Sequence, residues 1–74
     1  MKLQDIRKQR NLSQSQLADL VGISKQVLQR YEMGYRSIDG ADLERLCDIA
    51  IALNCKIYDI VESDVLIEKL KKTT

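Results

Sequence analysis

Apolar residues recur along the chain at the three- and four-residue intervals of a helix. The clearest run is Leu43, Leu46, Cys47, Ile49, Ala50 and Leu53, an i, i+3, i+4, i+7 stripe that predicts a helix over residues 41–53. Leu3 and Ile6, with Arg10 as a candidate third position, mark the inner side of a first helix over residues 2–10. Leu17, Ala18 and Val21 mark a second helix, and Leu28 and Tyr31, with Val27 partly inward, a third over residues 25–33. A short fifth helix over 57–62 would bury Ile57, Ile60 and Val61. Residues 63–74 leave two readings open: a helix capped by Ser63 with Leu66, Ile67 and Leu70 on one side, or a short strand at Val65-Leu66-Ile67.

The punctuation between these stripes is specific. Asn11 suits a helix end because asparagine tolerates the left-handed conformation. Ser13 is a good N-cap, Gln16 three residues later completes a capping box, and Leu12 with Leu17 has the spacing of a hydrophobic staple. Gly22 ends the second helix, where the missing Cβ permits a positive φ. Ser24 caps the third helix and Gly34 stops it. In the loop from Tyr35 to Gly40, Ile38 is the expected anchor and Asp39 the expected cap of the fourth helix, with Asp42 favouring the positive end of its dipole; Asn54 closes that helix. Two short helices joined by a tight glycine turn, the second polar on one side, are the layout of a helix-turn-helix.

Composition narrows the classes. Seventy-four residues make one domain, and the absence of proline with few aromatics favours an all-α fold. No apolar run reaches the roughly 18 residues of a membrane span and no signal peptide is visible, so no membrane association and a cytoplasmic location are expected. With no histidine and only Cys47 and Cys55 as thiols, a zinc site and a disulfide are not expected. There is no glycine-rich phosphate loop and no nucleophile–base pair, so neither an enzyme, nor catalytic residues, nor a cofactor is expected. Net charge is only +1, but its distribution is uneven. Residues 1–36 carry seven basic and three acidic side chains, residues 37–74 five basic and eight acidic ones, a polarity suited to one face meeting phosphates.

Read together, Ile6-Arg7, Leu12-Ser13-Gln14-x-x-Leu17-Ala18, Val21-Gly22-Ile23-Ser24 and Leu28-x-x-Tyr31-Glu32-x-Gly34 resemble the Cro/phage-repressor type of helix-turn-helix protein. The likeness continues through Leu46-x-x-Ile49-Ala50-x-Ala52-Leu53-Asn54-Cys55-x-Ile57-x-Asp59-Ile60. It implies a five-helix, lambda-repressor-like domain over residues 1–62, with 63–74 as a C-terminal extension outside the likeness. The 35–40 loop is about two residues longer than in the commonest family pattern, and Lys56 stands where a serine or threonine often caps the fifth helix.

The resemblance implies that the third helix enters the major groove of double-stranded DNA, with Lys25, Gln26, Gln29 and Arg30 reading bases. Their chemistry agrees: lysine and arginine donate to guanine O6 and N7, and glutamine pairs with adenine N6 and N7. Ser13 and Gln14 at the start of the second helix, with Ser24 at the rim, are expected to meet phosphate. Tyr35, Arg36 and Ser37 resemble the family's second phosphate clamp. The family also pairs an arginine of the first helix with a glutamate ending the third, here Arg7 and Glu32, as a brace for the recognition helix. One recognition helix contacts few base pairs, so a homodimer on a pseudo-palindrome is expected, joined around Ile57, Tyr58 and Val61. The leading expectation is therefore a sequence-specific transcriptional regulator, a repressor. The alternative is an antitoxin-like protein that binds its own promoter and meets a protein partner through the C-terminal segment.

Overall fold

The computed structural model describes residues 1–73, and Thr74, the last residue of the expected extension, lies outside the described residues. Five α-helices follow one another: α1 Lys2–Gln9, α2 Gln14–Val21, α3 Lys25–Glu32, α4 Leu43–Leu53 and α5 Asp64–Thr73. Two single 3₁₀ turns, Ile38–Gly40 and Ile57–Asp59, interrupt the longer connections. No strand occurs among the described residues. The all-α, lambda-repressor-like architecture is thus the one expected, and the C-terminal segment resolves to a helix.

α2 is the hub, packing on both α3 and α4, while α5 lies on the second 3₁₀ turn. The core is built by Leu3 from α1, Leu17 and Ala18 from α2, Leu28 and Tyr31 from α3, and Leu46, Ile49 and Leu53 from α4. Ile38 anchors the loop into it, fully enclosed, and Ile60 and Val61 close it from the far end. Leu66, Ile67 and Leu70 lay α5 against this core from outside. Asn11 and Asn54 take positive φ angles of 59° and 52°, the left-handed conformation expected of each.

Three expectations are corrected. Residues 57–62 hold only a single 3₁₀ turn, Ile57–Asp59, rather than a fifth α-helix; Asp59 starts it, its carboxylate accepting from the Lys56 amide at 2.9 Å. Leu43 belongs to the apolar stripe by spacing, yet it stands 67% exposed because α4 begins there and only the next turn reaches the core. Asp42, not Asp39, caps α4, accepting from the Arg45 amide at 3.1 Å. Asp39 instead turns to the other end of the chain. Its two carboxylate oxygens accept from the backbone amides of Glu62 at 2.7 Å and Ser63 at 2.9 Å, holding the entry to α5. Both aspartates lie at plausible cap distance from a helix. The 3₁₀ turn at 38–40 decides between them by rotating Asp39 away from α4.

Long-range polar bonds complete the frame. Lys2 donates through Nζ to the carbonyls of Tyr58 at 3.1 Å and Val61 at 2.8 Å, joining α1 to the 3₁₀ turn before α5. Arg10, a candidate for the inner stripe of α1, is exposed and lies one residue beyond the helix. It donates through Nε to the Leu53 carbonyl at 2.8 Å, placing a cation on the negative end of the α4 dipole.

Candidate nucleic-acid interface

The entry to α2 is fixed by a reciprocal pair. Ser13 Oγ accepts from the Gln16 amide at 3.0 Å, and Gln16 Oε1 accepts from the Ser13 amide at 2.8 Å. Two of the amides that a helix start leaves unpaired are thereby satisfied. The turn after α2 depends on Gly22, whose φ of +81° no side-chain-bearing residue adopts without strain; its amide donates to the Ala18 carbonyl at 2.8 Å. Ser24 Oγ accepts from the Val27 amide at 3.2 Å and starts α3.

α3 is divided lengthwise. Leu28, Tyr31 and Glu32 are buried, and Lys25, Gln26 and Arg30 are exposed. The burial of Glu32 is made possible by Arg7. Arg7 Nε donates to Glu32 Oε2 at 2.7 Å and Nη2 to Oε1 at 2.9 Å, while Nη1 donates to the Leu12 carbonyl at 2.8 Å. The two side chains are 8% and 1% exposed, so the pair is a bidentate one inside the protein. It joins α1, the α1–α2 connection and the end of α3 at one point.

Gln14 and Gln29 are where the site departs from the expected pattern. Gln14 Nε2 donates to Glu32 Oε1 at 3.1 Å, and Gln14 Oε1 accepts from Gln29 Nε2 at 3.1 Å. Both glutamines are half-buried. Gln14 therefore spends its amide inside the molecule, bridging the first turn of α2 to α3, instead of reaching outward from the helix start. Gln29 shares the polar face of α3 with Lys25 and Gln26 but is tethered, whereas those two are not hydrogen-bonded through their side chains to any described residue.

Beyond α3, Tyr35, Arg36 and Ser37 are all exposed, Tyr35 by 77%. The Arg36 amide donates to the Arg30 carbonyl at 3.1 Å, and its guanidinium lies 5.7 Å from the centroid of the Tyr31 ring. Tyr31 also accepts through its hydroxyl from Arg45 Nη1 at 3.3 Å, a bond that moves the Arg45 guanidinium further up from its ordinary pKa. The exposed groups form one surface: the start of α2, the outer face of α3 and the loop that follows it.

The expected dimer residues divide differently. Val61 is wholly enclosed in the core, so it has no surface to offer a second copy. Ile57 and Tyr58 are half-buried at the rim of an apolar groove of about 570 Å³ between α4, the second 3₁₀ turn and α5. Leu43, Cys47, Ile51 and Leu70 are among the other residues lining it. Both cysteines are free thiols, and burial, with Asp59 nearby, pushes the Cys55 thiol up. Among the described residues no group of carboxylates and thiols could hold a metal ion, and no helix is long and apolar enough to cross a membrane.

Local patterning carries no trace of the Gln14–Gln29 bridge, of Asp39 on α5 or of Lys2 on the far 3₁₀ turn. Each joins residues far apart in the chain whose types alone name no partner.

A family model described as helix-turn-helix matches residues 3–60, from the first helix to the end of the second 3₁₀ turn. No curated protein and no solved structure matches the chain. The family match covers most of the chain and includes every element that builds the braced α2–α3 pair. The chain belongs to the Cro/phage-repressor type of helix-turn-helix proteins, a family of DNA-binding transcription regulators.

Proposed function

We propose that the protein is a sequence-specific repressor that binds a pseudo-palindromic operator as a homodimer. The observation that carries this reading is the division of α3. Its inner side is clamped by Leu28, Tyr31 and the Arg7–Glu32 pair, while Lys25, Gln26 and Arg30 stand free on the outer side. A rigid helix with unoccupied donors and acceptors is suited to base edges in a major groove. The α2 start, with Ser13, and the loop at Tyr35, Arg36 and Ser37 flank it on both sides and supply phosphate contacts that set register. Repression follows from occupancy alone, since binding over a promoter excludes polymerase.

The second copy doubles a short half-site. We place its contact on the surface around Ile57 and Tyr58, extended by the exposed Leu43 and Ile51 of α4. This end of the molecule lies outside the α2–α3 surface, so pairing leaves the recognition helices uncovered. The antitoxin reading is weaker, because α5 already packs through Leu66, Ile67 and Leu70 rather than awaiting a partner.

Selection of bound sites from random duplex DNA tests the reading. The expected result is an inverted repeat with half-site centres about one helical turn apart. Affinity should fall steeply with salt, in proportion to the phosphates neutralised. Sedimentation should show two protein copies per duplex. Recovery of no sequence preference would overturn the proposal.

A further inference from the structure

The Gln14–Gln29 bridge has a direction, and the direction is set from inside the protein. Glu32 accepts three hydrogen bonds, two from Arg7 and one from Gln14. A carboxylate in that role has no proton to give, so it accepts only. The Gln14 amide must present its nitrogen to Glu32 and its oxygen to the far side. That oxygen is also acceptor-only, so Gln29 must present its nitrogen to Gln14. The Gln29 carbonyl oxygen is left pointing away from this chain of bonds, and it has no hydrogen-bond partner among the described residues. An isolated glutamine on a helix surface turns its amide either way to suit what it meets. Gln29 lacks that freedom, because reversing it would also require reversing Gln14, which would set an amide oxygen against the buried carboxylate.

We infer that Glu32, through Gln14, fixes Gln29 as a hydrogen-bond acceptor toward DNA, so that Gln29 selects a base carrying an exocyclic amino group in the major groove. Those bases are adenine, through N6, and cytosine, through N4; guanine O6 and thymine O4 present acceptors there that the Gln29 oxygen cannot meet, and only the second hydrogen of the Gln29 nitrogen, the one Gln14 leaves unused, can reach them, so they are disfavoured. Glu32 and Gln14 are positioning residues in this arrangement, and Gln29 is the specificity-determining one. The inference rests on the DNA-binding reading above and deepens it by naming the chemistry read at one base pair. It also assigns Gln14 a task distinct from phosphate contact.

The experiment is selection from a random duplex library with the full chain and four forms of it. Gln29→Ala locates the base pair that residue 29 reads, as the position whose preference flattens. At that position the native chain should favour amino over keto bases on the contacted strand by about tenfold or more, within the range a good base contact provides. In Gln14→Met the tether is cut, Gln29 turns freely, and the preference should fall below about threefold, with preferences at other positions kept. Gln29→Glu, acceptor on both oxygens, should keep the amino preference. The double variant Gln14→Met/Gln29→Glu should regain it, which separates loss of direction from general loosening of α2.

Gln14→Met retaining the full preference, or a keto base favoured by the native chain at that position, would overturn the inference while leaving DNA recognition intact. No position flattening in Gln29→Ala would do the same. A native chain that selects no sequence at all would overturn the DNA-binding reading, and this inference with it. Side-chain amide NMR of the free protein adds an independent readout. Gln29 protons should be slowed in exchange in the native chain and not in Gln14→Met; equal rates in both would overturn the tether itself.

Discussion

The two ends of this small domain are held by different physics. At the α2–α3 end, a buried bidentate ion pair, a glutamine bridge and a reciprocal cap tie together residues from α1, α2 and α3. At the α4–α5 end, Lys2, Arg10 and Asp39 bond to the backbone around an apolar packing surface, and among the described residues no side-chain ion pair or amide bridge is buried there; an open groove lies beside it. Leu43 and Ile51 are left 67% and 76% exposed there. The contrast suits the tasks proposed above for the two ends. Polar readers must be held at fixed positions, and hydrogen bonds are directional enough to do that. An apolar surface that packs on another protein copy needs shape and area more than orientation. Buried side-chain bonding at one end and a mostly apolar surface at the other would suit one core to the two proposed tasks.

The largest expected effect breaks the first end. Glu32→Gln removes the charge opposite the buried Arg7 guanidinium and should cost about 3–5 kcal/mol in urea unfolding, the usual penalty for one partner of a fully buried pair. Replacing both, as Arg7→Met with Glu32→Leu, should cost much less, since no charge is then stranded. A single-variant loss under about 1 kcal/mol would show that the pair is solvated and braces nothing.

Next in size is Lys25→Ala. It should leave the melting temperature unchanged while weakening binding to the selected operator, with about 1–3 kcal/mol less discrimination at the base pair it reads. A fall in melting temperature would mean that the outer face of α3 contributes to the fold and that its division into two sides is wrong.

Asp39→Ala tests the attachment of α5 and should cost about 1 kcal/mol, as the loss of a helix cap does. Hydrogen exchange should accelerate in residues 62–67 and stay constant in α2 and α3. Equal acceleration at both ends would show that the two are not separately held.

The smallest effect on stability belongs to Ile51→Asp. The side chain is mostly exposed, so monomer unfolding should change by less than about 0.5 kcal/mol, whereas dimerisation measured by sedimentation should weaken together with operator binding. Unchanged self-association would place the dimer contact elsewhere and leave the groove without its proposed role.

Much of the frame could be read along the chain, since caps and turns depend on residues close in sequence. Ser13 with Gln16, Gly22, Ser24 and Asn54 all act within four residues of themselves, and each does what its type and position predict. The Arg7–Glu32 pair joins residues 25 apart and was accessible only through the likeness to a family. Reading along the chain failed in instructive places. It counted Leu43 as core, although the helix had not yet reached the core there. It buried Val61 by spacing and also offered it to a partner copy, and of the two the burial is what the structure shows. It gave Asp39 to the nearer helix, although a 3₁₀ turn hands it to α5.

The amino-acid sequence by itself determined the first four helices, the turns between them, the basic character of the first half and the polar face of α3, because these depend on local spacing and local chemistry; which of the last two segments is helical it left open. The tertiary structure alone decided which polar groups meet. It put Gln14 between Glu32 and Gln29, and so gave the Gln29 amide on the outer face of α3 a direction that no single residue type contains. The physical reason is that a glutamine can donate or accept equally well until its neighbours choose, and those neighbours lie on other helices.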